Sequence, residues 1–497
     1  MKRHIITIVL ALITVMTASA QRKTDQLDRG LVAVKVSNGV FVSWRQQADE
    51  YYDVTYNLYR NGTKVNATPL SVTNYTDANG TTSSTYTVKA VVKGVEQEAS
   101  AAKTVWANDY LEITPQHPSG LVSTYVPNDA CAADVDGDGQ VELLMKFDNT
   151  EEINNSFQKN GWYGEHTLFE ILELDGTVKW WVNCGPNMGD FQNNEQNIVG
   201  YDWDQDGKAE VVMRLEEGST IHMADGTTYQ IGADGQNGTA WTNYREPRYV
   251  GNSVGASAAL AFGLSSSASI SCDSNWVSTK IENGIAYATT TALNENNTGR
   301  GANVSITDNN VTVNYWFGQN GTSRSVEWFT HYGKEFLVYC NGETGEIYDI
   351  IDFPCARFED GETDLNAAWG DGYGHRSSKY FYGAPFLDGR NPSIFVGRGI
   401  YTRHKFVALD VDKNTHKLSE RWRWMNNQKG SPWYGQGYHN YAIVDVDWDG
   451  RDEIVFGGLV IDDNGKGLST VGLGHGDAQH HGDLNPYKHG AEGWFAN

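Results

Sequence analysis

Three segments of the chain carry one pattern in one register: Asp134-Val135-Asp136-Gly137-Asp138-Gly139 with Glu142, Asp202-Trp203-Asp204-Gln205-Asp206-Gly207 with Glu210, and Asp445-Val446-Asp447-Trp448-Asp449-Gly450 with Glu453. Each reads D-x-D-x-D-G-x-x-E. Alternating carboxylates on a tight loop turn their oxygens toward one point, the glycine permits the sharp turn, and a hard cation of the Ca2+ type takes six to eight such oxygens. An EF-hand would need Glu at loop position twelve and a helix behind it. Met145, Met213 and Phe456 stand there instead, and Leu143-Leu144-Met145, Val211-Val212-Met213 and Ile454-Val455-Phe456 read as buried strands.

The loops therefore join strands, one per structural repeat, the arrangement of calcium-bearing β-propeller blades. A solvated Asp-Gly hairpin turn would explain a single copy, but not three in register. Asp410, Asp412 and Asn414 form a weaker copy, for which the hairpin turn is the better reading. Short apolar strands with turns between them run almost throughout, no long amphipathic helix stands out, and the expected class is all-β. Val40 to Trp44, Val54 to Tyr59 and Thr85 to Val92, separated by the hairpin signals Asn61-Gly62 and Asn79-Gly80, read as a small β-sandwich of fibronectin type III character.

With 38 Lys+Arg against 62 Asp+Glu the formal net charge is −24, which excludes a nucleic-acid partner. Aromatic residues at 12% exclude a disordered acidic tail. Lys2, Arg3 and His4, the apolar run Ile5 to Met16 and Ala18-Ser19-Ala20 read as a cleaved signal peptide. No apolar stretch is long enough to span a membrane, so export as a soluble, monomeric protein to the periplasm, cell surface or medium is expected. The five cysteines include no CxxC pair and indicate neither a disulfide framework nor a thiolate metal site; pairing of Cys340 with Cys355 stays open.

A second cluster differs in kind. Gly435-Gln436-Gly437-Tyr438-His439-Asn440, Gly472-Leu473-Gly474-His475-Gly476-Asp477 and His480-His481-Gly482-Asp483 place four histidines and two aspartates in glycine-flanked loops. Such side chains ligate a metal, act as acid or base, or hydrogen-bond at blade ends. Trp369-Gly370-Asp371 and Arg398 to Arg403 offer an aromatic and cationic lining, where arginine suits a carboxylate ligand. No H-E-x-x-H, G-x-S-x-G or phosphate-cradling glycine loop occurs.

Arg29 to Lys35, Tyr59-Arg60, Pro127-Asn128-Asp129-Ala130, Trp369 to Gly374, Gly435-Gln436-Gly437 with His439, and Gly472 to Ala478 together resemble the β-propeller rhamnogalacturonan lyases of polysaccharide lyase family 11. The resemblance implies an eight-bladed calcium-binding propeller that cuts the rhamnose-galacturonate backbone of pectin by β-elimination. It assigns Asn128 and Asp148 to substrate, alongside Arg403 from the lining, and His439 and His475 to the active-site calcium, with Asp477 beside them. His439 and His475 are the expected catalytic residues, although a His, Lys or Arg could each be the base. Calcium is expected at Asp134, Asp136, Asp138, Glu142, Asp202, Asp204, Asp206, Glu210, Asp445, Asp447, Asp449 and Glu453.

Two departures from the family stand out. Residues 253–322 interrupt the propeller and resemble a BACON module, and the chain stops at Asn497, before further blades and the Arg and Lys that the resemblance places in the active site. A truncated C-terminus is the expectation. The organisation read from sequence is residues 1–20 signal peptide, 21–107 fibronectin III-like sandwich, 108–252 and 323–497 propeller, and 253–322 insert. At ~45 residues per blade, the propeller parts amount to roughly seven blades. The competing reading is a non-catalytic calcium-propeller protein that binds pectin or mediates adhesion.

Overall fold

Strands apolar on both faces demand neighbours on both sides, and the computed structural model supplies them: every residue of Glu210–Glu216 and of Leu168–Leu172 is buried. It describes residues 22, 27–47, 50, 53–119, 125–149, 167–185, 188, 198–216, 218–231, 248–261, 263–296, 300–322, 334–371, 374–485 and 487–496. The expected signal peptide, and Gly372 and Tyr373, lie outside these residues.

Among the described residues the structure is all-β apart from one helical turn, Leu365–Trp369, capped by Asp364 and ended by Gly370 at φ 87°. Four sheets follow one plan, four strands in hydrogen-bonded order. The first holds Tyr125–Ala133, Glu142–Asn149, Leu168–Leu172 and Val178–Asn183. The second holds Ile198–Tyr201, Glu210–Glu216, Glu335–Asn341 and Ile347–Asp352. Tyr380–Gly383, Ile394–Arg398, Lys405–Val411 and Leu418–Met425 make the third, and Ala442–Val444, Glu453–Phe456, Leu459–Ile461 and Gly467–Thr470 the fourth. Ala478–Gly482 pairs with Glu492–Ala496 in a final two-stranded sheet. Thr220–His222 and Thr228–Gln230 extend the first sheet to six strands. Long connections such as residues 353–379 and 426–441 are why the described residues hold fewer sheets than division by a blade length suggests.

Successive sheets stack face to face. Val211, Met213 and Leu215 pack with Leu144, Ile171 and Trp180 of the first sheet, whereas Val212 packs with Val396 and Val407 of the third. Phe395, Phe406 and Trp422 then meet Ile454, Phe456 and Leu459 of the fourth. The two faces of one strand thus belong to two cores.

Between Glu210–Glu216 and Glu335–Asn341, which pair directly, two small sheets run from Arg248 to Gln319 around their own core of Val250, Ala288, Val304 and Phe317. The N-terminal strands, Val32–Val36 to Lys103–Trp106, enclose another core around Trp44, Tyr56 and Tyr86. Here Asn61-Gly62, with φ 48° and 80°, closes the hairpin of Thr55–Arg60 and Thr63–Lys64. Asn79-Gly80 does not close one, because the strands either side of it pair elsewhere. A Cβ at Gly80 would meet the Tyr86 hydroxyl at 2.2 Å, so that glycine serves close packing. None of the five cysteines is in a disulfide, Cys340 and Cys355 included.

Candidate active site and cation loops

The three Asp loops close in the same way. The first carboxylate of each accepts the N–H of the loop glycine: Asp134 from Gly139 at 2.8 Å, Asp202 from Gly207 at 3.0 Å, Asp445 from Gly450 at 2.9 Å. Each glutamate then reaches back to the loop backbone, Glu142 to Val135 N at 2.8 Å, Glu210 to Trp203 N at 3.0 Å, Glu453 to Val446 N at 2.7 Å. Oxygens of Asp134, Asp136 and Glu142, of Asp202, Asp204, Asp206 and Glu210, and of Asp445, Asp447 and Glu453 gather within 4.8 Å of one another. Asp138 and Asp449 stand outside these groups and cap Gln140 N and Arg451 N. Sequence reading missed Asp462 and Asp463, which gather with Glu453 from the Leu459–Ile461 to Gly467–Thr470 turn. Asp412 of the weaker copy caps Asn414 and Thr415, as a hairpin turn does.

Burial, aided by the neighbouring carboxylates, pushes Glu142 up to about 7, Glu210 to about 9 and Glu453 to about 8. Lys179 offsets part of the first loop's charge through Asp136 at 2.9 Å, and His416 lies 3.1 Å from Asp204. Among the described residues no basic side chain pairs with Asp445, Asp447 or Asp449. Glu453 Oε1 is buried without a hydrogen-bond partner. A buried glutamate with an unused oxygen, crowded by the aspartates of its loop, is part of a donor set that fits a hard dication.

The other named residues lie at the opposite end of the strands. Glu142 begins its strand and Asp148 nearly ends it, a separation of roughly 20 Å at ~3.3 Å per residue. A register shift between Met145 and Phe147 re-aims the strand beside Asn128. Asn128 Nδ2 donates to Asp148 Oδ2, and the buried Lys146 Nζ lies 3.5 Å from Asp148 Oδ1.

At the same strand end, loops before Ala442–Val444 and Ala478–Gly482 bring His439 and His475 together with ring centroids 5.0 Å apart. Their Nε2 atoms lie 3.7 and 3.6 Å from Asp477 Oδ1. His475 Nδ1 is 2.6 Å from Gly437 O, and since a carbonyl only accepts, Nδ1 carries a hydrogen, which in the neutral ring leaves the lone pair on Nε2, the nitrogen that faces Asp477. A Cβ at Gly437 would meet His404 Nε2 at 2.1 Å, which accounts for one of the motif's glycines. Two imidazole nitrogens and a carboxylate form a donor set that fits a divalent cation.

Other residues singled out by sequence do not join this group. Arg403 is buried and held by both oxygens of Glu362 at 2.7 and 2.6 Å, its charge already met. Trp369 is fully buried and lines nothing; its ring lies near the cations of Arg398, Arg403 and Lys405. His480 and His481 sit on a strand beside Trp494 and Phe495. The group adds Tyr401, His375 and Arg376, and only the aromatic character of the Arg398 to Arg403 stretch pointed toward them.

An all-β chain with stacked four-stranded sheets, acidic loops at one end and a histidine group at the other matches the rhamnogalacturonan lyase family 11 C-terminal domain over residues 112–246 and 280–497. Residues 22–106 match the rhamnogalacturonan I lyase β-sheet domain. The chain belongs to rhamnogalacturonan lyase family 11. It is 35% identical over 485 residues to rhamnogalacturonan endolyase YesW of Bacillus subtilis, covering 96% of this chain and 62% of that protein. To rhamnogalacturonan exolyase YesX of the same organism it is 33% identical over 482 residues, covering 95% and 62%. The crystal structure of YesX superposes with a TM-score of 0.67 at 30% identity, covering 96% of this chain and 63% of that one. The chain thus spans about 62% of the length of these curated relatives.

Proposed function

We propose that this protein is a secreted lyase that cleaves the rhamnose-galacturonate backbone of rhamnogalacturonan I by β-elimination, leaving a 4,5-unsaturated galacturonate end. The observation that carries this reading is the meeting of His439, His475 and Asp477 at the strand end that also presents Asn128 and Asp148, in a chain of this family. The names of the two Bacillus relatives support the same substrate.

Asn128 and Asp148 orient sugar hydroxyls, with the Lys146 ammonium 3.5 Å behind the Asp148 carboxylate. His475, fixed through Gly437 O, presents its free Nε2 to the same side as His439. A dication held by His439, His475 and Asp477 would spread the charge that builds on the uronate carboxylate as the C5 proton leaves. A His, Lys or Arg takes that proton, the C5–H electrons form the C4=C5 bond, and the C4–O4 bond breaks with its pair going to oxygen.

The stacked sheets are the blades of a β-propeller in this reading, with Ca2+ in the three Asp loops holding them in shape. Residues 1–20 direct export, residues 21–107 form a fibronectin III-like module, and residues 253–322 a BACON-like one. The protein acts as a monomer. Among the described residues no helix is long and apolar enough to cross a membrane.

The test is incubation with rhamnogalacturonan I and Ca2+ while following the ultraviolet absorbance of unsaturated uronate. Binding of the polysaccharide with no rise in absorbance would sink the lyase reading in favour of a pectin-binding propeller.

A further inference from the structure

The connection between Ile394–Arg398 and Lys405–Val411 is strained at one residue. Tyr401 has φ 64°, and Thr402 N donates to Ile400 O across it at 2.8 Å. Tyr401 is therefore the corner of a three-residue turn with positive φ, a rare conformation and a strained one for a bulky side chain. Such strain persists only where the surroundings over-determine it.

Here they clamp it from both sides. Gly399 N donates to Lys379 O at 2.9 Å, Ile400 N to Arg376 O at 3.2 Å, and Gly435 N to Thr402 O at 3.0 Å. Thr402 Oγ1 donates to Trp369 O at 2.6 Å, and the side chain of Ile400 is fully buried. The strained corner stands the phenol among the histidines. Its ring lies 4.2 Å from that of His475 and 5.9 Å from that of His439, and its hydroxyl is 3.4 Å from His439 Nε2. His375 approaches the ring edge-on at 5.8 Å, and the Arg376 guanidinium lies 5.8 Å from its centre. Only Gly takes positive φ freely, so a tyrosine at this corner is accounted for by what its side chain touches.

We propose that Tyr401 is a positioning residue of the cation site formed by His439, His475 and Asp477. Its ring packs against the imidazoles of both His475 and His439, so that both nitrogens stay aimed at Asp477, while its hydroxyl meets His439 Nε2 only as long as no cation takes that lone pair. The inference rests on the cation-site reading given under Proposed function.

The test is titration of the full chain with cobalt(II) alone, following the visible absorption of histidine-ligated cobalt, in wild type, Tyr401→Phe, Tyr401→Gly and His475→Ala. His475→Ala is expected to lose the signal. Tyr401→Gly is expected to bind about tenfold or more weakly, with no fall in melting temperature because glycine relieves the strained backbone. Tyr401→Phe, which keeps the ring and loses the hydroxyl, is expected to bind at least as tightly as wild type. Loss of the signal in His475→Ala with wild-type affinity in Tyr401→Gly overturns the role of Tyr401 alone. Identical titrations of wild type and His475→Ala overturn the cation site, and the role of Tyr401 with it. Should Tyr401→Gly melt well below wild type, a Tyr401→Leu variant, which keeps bulk and loses the aromatic face, decides, and wild-type affinity there overturns the proposal.

Discussion

Glu453 and Val446 are joined by a 2.7 Å hydrogen bond in which the buried carboxylate accepts the backbone N–H through Oε2, leaving Oε1 unpartnered. The same glutamate-to-loop bond recurs between Glu142 and Val135 and between Glu210 and Trp203. Each loop thus pins a carboxylate where burial and its neighbours penalise its charge.

That penalty gives a pH dependence with a definite sign. Glu453 rises from an ordinary 4.5 to about 8, so the folded state holds a proton that the unfolded state releases first. In chelator, the contribution of Glu453 to stability is fully present below about 4.5, is lost as pH rises through the interval to about 8, and is level above it. Saturating Ca2+ should remove most of this slope. Melting temperature against pH, with EDTA and with Ca2+, measures it, and superimposable profiles would contradict the calcium role.

Glu210→Gln should change sign with calcium. The amide keeps an oxygen for Trp203 N and avoids the cost of protonating or burying a carboxylate there, so in EDTA near neutral pH the variant should be more stable by about 1–3 kcal/mol. In Ca2+ it should be less stable than wild type, having lost a ligand. Paired denaturant titrations read both arms, and destabilisation in EDTA would count against the electrostatic account.

Glu335 lies buried among three arginines, 2.6 Å from Arg398 Nη1, 2.8 Å from Arg214 Nε and 3.0 Å from Arg357 Nη2. Their charges outweigh its burial and hold its carboxyl far below the usual range. Arg398→Met leaves that arrangement short of a cation and should destabilise by about 3–5 kcal/mol. A loss under 1 kcal/mol in urea unfolding would show that the remaining arginines compensate.

Gly437→Ala forces a methyl against His404 Nε2 and Phe456, at 2.1 and 2.2 Å before relaxation. The expected loss is about 1–3 kcal/mol. The Gly437 carbonyl that fixes His475 moves with it, so cobalt binding should weaken in the same variant. Wild-type binding despite reduced stability would mean that Gly437 O does not orient His475.

The Asp loops were legible because their ligands sit within nine consecutive residues, so local geometry alone brings the oxygens together. Even there, Asp138 and Asp449 fall outside the gathered oxygens whereas Asp206, which caps Lys208 N in the same way, falls inside, a difference that spacing does not encode. The surroundings of Arg403 and Trp369 were illegible for a related reason. Their residue types suit a ligand-binding lining, but Glu362 absorbs the charge of one and the Leu365–Trp369 turn buries the other.

By itself the sequence determined the all-β class, the three carboxylate loops, the family and the pairing of His439 with His475, since each rests on local spacing or on residues that resemble known ones. Tertiary structure alone decided that the loops and the histidines occupy opposite strand ends, that Asp462 and Asp463 join Glu453, and that Tyr401 stands in a strained turn against His475. Those relations depend on how stacked sheets bring distant connections side by side, and no local pattern in the chain encodes which of them will meet.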